Sequence, residues 1–143
     1  MKFHDEVVEA LSEVIQQYQL TSICEDENTT TLVKQDQYAL SVSWTNHFEI
    51  DFCYFFEKDG RVVSTFPLFI IGKYRQELIS DDELIKGPGL GIDALRNYGL
   101  MLNSAGQDFL RGGNEIATNE DVTRHLREVS RPMIEFYEKY VLT

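Results

Sequence analysis

Glu49 and Asp51 stand two residues apart in the stretch FEIDFCYFFEKDGR at positions 48–61. On an extended strand, residues two apart share a face at about 7 Å. Two carboxylates at that separation can hold a divalent cation or divide acid and base roles. The reading this suggests is a metal-assisted hydrolase using Glu49 and Asp51. Two things weigh against it. No Lys or His stands at a defined spacing from the pair. The stretch also alternates Phe48, Ile50, Phe52, Tyr54 and Phe56 with Glu49, Asp51 and Glu57, the pattern of any strand with one wet face. Other chemistry is absent as well. There is no Gly-x-Ser-x-Gly, and neither Cys24 nor Cys53 has a histidine at a recognisable spacing. His4, His47 and His125 are scattered rather than set at ligand spacing. The glycine run GPGLG at 87–91 lacks the Gly-Lys-Ser/Thr ending of a phosphate loop. The expectation is a chain with no catalytic residue, no metal site and no cofactor.

Charge points to binding instead. The chain of 143 residues carries a net charge of −11, with 13 Lys and Arg against 24 Asp and Glu. The acid is concentrated early: residues 1–90 are net −9 and residues 91–143 net −2. Nucleic-acid binding needs a positive footprint that displaces counterions, and an anionic membrane surface makes the same demand. Neither is expected as a partner. A basic protein would be attracted and steered. The surface expected to meet it is the wet face of the sheet, with Glu49, Asp51 and Glu57 joined by Glu25, Asp26 and Glu27. Phe55 falls among these acids, and an aromatic ring in a charged rim is the usual make-up of a hot spot. Whether Phe55 is covered by another element is left open by the sequence.

The elements that carry these residues follow from periodicity. Phe3, Val7, Val8, Leu11, Val14, Ile15 and Tyr18 mark one helix over 3–18. Residues 21–25 and 29–33 read as a Thr-rich hairpin. In 38–44, Tyr38, Leu40, Val42 and Trp44 point one way. Pairing Trp44 with Phe48 across a turn of Thr45, Asn46 and His47 keeps every apolar residue on one face. A turn of Lys58, Asp59 and Gly60 then leads to a strand over 61–71, with a two-residue Asp59-Gly60 turn as the alternative. Pro67 marks an edge or bulge in that strand. After a connection with one helical turn near 81–85, a helix is predicted over 92–113. Gly99 and Gly106 in it signal either close approach or a break. A last helix is predicted over 119–142, kinked at Pro132. Its Arg124, Arg127 and Arg131 are expected to pair with nearby glutamates.

The chain is thus expected to be a single α+β domain over 1–143. It has an N-terminal helix, an antiparallel meander of four to five strands, and two C-terminal helices packed on one face of the sheet. The first ten residues hold no cationic stretch followed by an apolar block, and the two cysteines make no disulfide framework, so a cytoplasmic location is expected.

The segment LRNYGLMLNSAGQDFLRGGNEI at 95–116 resembles the helix and "LLxGD" ending of immunity-type families, with Gly113-Asn114 in place of Gly-Asp. These are small acidic bacterial proteins that neutralise polymorphic or contact-dependent toxins. The resemblance implies a non-enzymatic inhibitor of a cognate toxin and carries over no residue's role. The chain also looks like the type III secretion chaperones, which are small, acidic and begin with a helix and a meander. It departs from them after residue 71, where two successive helices replace their helix, hairpin and helix.

Overall fold

The computed structural model describes residues 2–45, 49–79 and 91–142. It is α+β, built on an antiparallel sheet of six strands in sequence order. These are β1 (Thr21–Asp26), β2 (Thr29–Lys34), β3 (Tyr38–Trp44), β4 (Ile50–Lys58), β5 (Arg61–Thr65) and the two-residue β6 (Arg127–Glu128). The N-terminal apolar stripe forms α1 (Lys2–Ala10) and α2 (Ser12–Tyr18) around one distorted residue, Leu11. The Leu11 N–H still donates to the Val7 carbonyl, and the Leu11 carbonyl accepts from Ile15, both at 2.9 Å. The two segments therefore behave as one bent helix.

The meander forms as the alternation requires, but with a different register at both later turns. Trp44 pairs with Ile50, Val42 with Phe52, Leu40 with Tyr54 and Tyr38 with Phe56. The predicted pairing of Trp44 with Phe48 is off by two residues. A slip of two leaves every side chain on its own face, so the face pattern cannot tell the two registers apart. The ladder ends where the Thr45 N–H meets the Glu49 carbonyl at 2.8 Å. Asn46 and His47 of the predicted turn lie outside the described residues. Between β4 and β5 the two-residue turn wins: Lys58 pairs with Arg61, and Asp59 and Gly60 take φ of 55° and 79°. Asp-Gly is the pair best suited to two successive positive φ angles in a hairpin whose twist matches its strands.

Pro67 and Pro132 each lie in the first turn of a helix. The predicted strand over 61–71 stops at Thr65, and Pro67 opens α3 (Pro67–Tyr74). A proline at the first helical position gives up an N–H that has no partner there anyway. The helix predicted over 92–113 is α4 (Gly91–Ala105) followed, after a break at Gly106, by α5 (Gln107–Arg111). Gly99 serves the other predicted purpose, since a Cβ on it would meet Leu11 Cδ2 at 2.7 Å. It lets α4 lie directly on the N-terminal helix. The helical turn predicted near 81–85 and the glycine run before residue 91 fall outside the described residues.

The single helix predicted over 119–142 is not formed. The chain instead runs through α6 (Asn114–Thr118), α7 (Glu120–Thr123), β6 and α8 (Arg131–Phe136), and ends in a π-helical turn at Tyr137–Val141. Pro132 sits in the first turn of α8 and marks its start rather than a kink. No continuous arginine ridge results. Arg124 pairs with Glu120 and Arg131 with Glu135, as predicted, while Arg127 lies in β6.

Helices cover both faces of the sheet, not one. On the first face, Leu32, Tyr38, Leu40, Val42, Phe52, Tyr54 and Phe56 pack against α1, α2, α3, α4 and α5. On the second, Val33, Ala39 and Phe55 pack beneath Phe136, Tyr137 and Val141. Tyr38 and Tyr54 stack at 4.7 Å and donate to the Leu110 and Phe109 carbonyls, each at 2.8 Å. Those carbonyls end α5 and have no helical partner of their own. Burial raises the pKa of both hydroxyls, so they stay protonated donors.

Candidate functional site

The seven residues predicted to meet a partner do not form one surface. β4 carries Asp51 at one end and Glu57 at the other, with Phe55 between them. Glu49 precedes the strand and is exposed, as are Asp51 and Glu57. Trp44, at the end of β3, donates its N–H to the Asn28 carbonyl, so the β1–β2 turn lies at the Asp51 end of the sheet. Glu25, Asp26, Glu27, Glu49 and Asp51 therefore occupy one end, and Glu57 stands at the opposite one.

Phe55 is covered. Only 3% of it is accessible, with the Phe136 and Tyr137 rings at 6.0 and 6.4 Å. The prediction that it contacts a partner is corrected: its ring fills the second core. The sequence left this open because the covering residues lie some eighty positions further on, in a segment whose pattern read as part of one long helix.

At the Asp51 end the second face is lined by Ser41, Ser43 and Cys53, all half-buried. Ser43 pairs with Asp51 and Ser41 with Cys53. Glu25 is exposed, and its carboxylate accepts the hydroxyl hydrogen bond of buried Thr31 at 2.5 Å. Glu49 and Asp51 both act on Tyr98, whose pKa is raised first by burial and then by these two carboxylates. Among the described residues no three His, Cys, Asp or Glu side chains are grouped to hold a metal ion. Burial also pushes the Cys53 thiol up; a Ser64 hydrogen bond partly opposes this and Asp51 adds to it. Cys24 is exposed. Because the thiolate is the reacting form, iodoacetamide at mildly alkaline pH should label Cys24 at least about tenfold faster than Cys53. The two rates should converge in urea. Peptide mass spectrometry reads both, and equal rates in the folded chain would show that Cys53 is not shielded.

The Glu57 end is concave. A cleft of about 380 Å³ lies between the β4–β5 hairpin and the C-terminal helical turns. Glu57, Glu128 and Glu138 line it with one cation, Arg61, and Val129 and Ile134 form apolar wall. Glu57, Glu138 and Arg61 are all exposed, so their charges face solvent. Arg61 and Glu128 approach to 3.4 Å as a surface pair, and Glu57 and Glu138 have no ion pair among the described residues. A second cleft of about 220 Å³ adjoins it across Glu57 and Leu142 and adds Asp36, Gln37 and the Gly113-Asn114 turn.

The chain matches no family model, no curated protein and no solved structure. Of the groove residues, Glu57 was among those predicted. Asp36, Glu128 and Glu138 were missed. On one continuous helix Glu128 and Glu138 would stand about 15 Å apart along the axis. The β6 strand and the start of α8 at Arg131 bring them to one cleft instead. Among the described residues no helix is long and apolar enough to cross a membrane.

Proposed function

We propose that the chain is a non-enzymatic binding protein that blocks a basic partner, a cognate toxin in the immunity-type reading, through the groove around Glu57. The observation that supports this is the lining of the larger cleft: Glu57, Glu128 and Glu138 against Arg61 alone, on a concave and partly apolar floor. A lysine or arginine of a partner entering it would gain charge-assisted hydrogen bonds from more than one carboxylate. The net charge of −11 adds long-range steering to that contact. The five acids at the Asp51 end widen the negative field without offering a described cleft. In this reading the protein acts in the cytoplasm, stoichiometrically and without a cofactor, and nucleic acid is not its partner.

The test is titration of the purified chain against the C-terminal domain encoded by the neighbouring reading frame. Glu57→Gln with Glu138→Gln should weaken binding on the order of tenfold per carboxylate, with a shallower salt dependence. Unchanged affinity across a salt series would remove the groove from the interface. A partner whose binding face is acidic would defeat the proposal outright.

A further inference from the structure

On this acidic chain, two of the cations that make no ion pair among the described residues lie against exposed phenylalanine rings. Among the described residues Arg61, Arg75, Arg96, Arg111, Arg124 and Arg131 are each ion-paired with a carboxylate. Arg127 is the exception. Its guanidinium instead lies 5.7 Å from the centre of the Phe66 ring. Lys73 also has no ion pair among the described residues; its ammonium sits 5.8 Å from the Phe69 ring and 5.4 Å from that of Tyr74.

Both phenylalanines are on the surface. Phe66 is 38% and Phe69 50% exposed. Phe69 and Lys73 stand four residues apart on one face of α3, and Phe66 is the extended residue just before its first turn. His125 extends the patch, its ring edge-on to Phe69 at 5.3 Å and its Nε2 2.6 Å from the Tyr74 hydroxyl. The exposed face of α3 and the strand edge at Arg127 therefore form an aromatic ridge carrying two cations. The rest of the molecule does not explain it. The rings do not close over either core, and among the described residues each cation meets only ring faces, a contact of about 0.5–1 kcal/mol at an exposed site.

We propose that this ridge binds a short acidic segment of a protein partner, in which one or two carboxylates flank an aromatic or large aliphatic side chain. The carboxylates would meet Lys73 and Arg127, and the apolar side chain would lie against Phe66 and Phe69. Charge complementarity selects this occupant over the other anions. Attraction to the two cations acts within about 8 Å at physiological salt. A short segment lies inside that range. A nucleic-acid strand or a lipid surface extends beyond it and meets the repulsion of a chain at net −11. The proposal concerns a surface of opposite sign to the groove and does not depend on the groove's role.

Panning a phage library of random dodecapeptides against the full chain tests it. Enriched sequences should place Asp or Glu within two residues of Phe, Trp or Leu. Their fluorescence anisotropy titrations should weaken by about tenfold or more in Lys73→Gln/Arg127→Gln and, separately, in Phe66→Ala/Phe69→Ala. Glu57→Gln/Glu138→Gln should leave them unchanged, which separates failure here from failure of the groove. All these side chains are exposed, so the thermal midpoint should hold; if the phenylalanine variant unfolds, the charge variant decides alone. Peptides without an acidic consensus, or peptides that bind the charge variant as tightly as the parent, overturn the proposal. So does binding of oligothymidylate or phosphatidylserine vesicles that the charge variant abolishes, since the ridge would then serve a polyanion.

Discussion

Replacing Arg75 with Met is expected to cost about 3–5 kcal/mol of folding stability. That is a large part of the 5–15 kcal/mol that holds a typical domain. Arg75 follows α3 and is 7% exposed. It grips Asp108 with both terminal nitrogens at 2.6 and 2.8 Å, Asp121 through Nε at 2.8 Å and Nη2 at 3.0 Å, and the Ala105 carbonyl at 3.0 Å. Burial alone would lower its pKa. The hydrogen bonds and charges of Asp121 and Asp108 outweigh this and raise it, so the guanidinium is permanently charged. One side chain thus ties the end of α3 to α4, α5 and α7. Without it, Asp108 keeps the Asn119 amide at 2.8 Å and the Phe109 N–H at 3.0 Å but loses its countercharge in a buried place. The cost comes from that stranded carboxylate, not from the net worth of the pair. Arg75→Met with Asp108→Leu should therefore recover a substantial part of the loss, because the more buried carboxylate leaves with its countercharge and only the more accessible Asp121 stays unpaired. Urea midpoints of the parent, the single variant and the double variant read this directly. A double variant no more stable than Arg75→Met would show that the arginine acts through packing, by its stem and its place over the Phe109 ring at 5.2 Å. The exposed pair Arg131–Glu135 offers the contrast: its removal should move stability by no more than about 0.5 kcal/mol.

That network illustrates what periodicity could and could not reveal. The N-terminal helix and the faces of β3 and β4 were legible because each buries one stripe against one core. The C-terminal third was not. Val122, Leu126, Val129, Met133, Phe136 and Tyr140 keep a helical period, yet they serve two cores. Val122 and Leu126 belong to the first, while Val129, Met133, Phe136 and Tyr140 belong to the second. Between them the chain passes the sheet edge as β6, pairing Glu128 with Val63 and Arg127 with Ser64. A period reports that residues are buried, not against what. Pro132 was the available signal, since proline is at home in a first turn and disruptive in a middle one. Pro67 carried the same message. The candidate site shared this fate. Its acidity was legible from composition, and Glu57 from alternation, but the groove needs Glu128 and Glu138, which only the break between β6 and α8 brings there. Arg75, Asp108 and Asp121 gave no local signal at all, because they are 33 and 46 residues apart.

Replacing Gly112 with Ala is expected to cost about 3 kcal/mol, and Gly113 with Ala about half of that. The two glycines share a backbone conformation, with φ of 70° at each and ψ of −157° and −150°. That region is open to glycine and closed to residues with a Cβ, so both substitutions carry the same strain. They differ in what the new methyl meets. At Gly113 the nearest atom is Gln37 Oε1 at 3.2 Å, the tip of a flexible side chain that can swing away. At Gly112 it is Tyr38 Cδ2 at 2.9 Å. Tyr38 cannot yield, being fully buried, stacked on Tyr54 and bonded through its hydroxyl to the Leu110 carbonyl. The methyl must therefore push the ring off that carbonyl or open the turn. A double-mutant cycle separates the two contributions. With Tyr38→Leu as the background, the further cost of Gly112→Ala should fall toward the Gly113 value, because the strain remains and the collision does not. Equal costs for the two glycines in the parent chain would rule out the collision. The same turn lines the smaller cleft beside Glu57. A Gly112 variant that stays folded should thus disturb the groove while leaving the ridge at Phe66 and Phe69 intact. The two surfaces can in this way be perturbed one at a time without changing any charge.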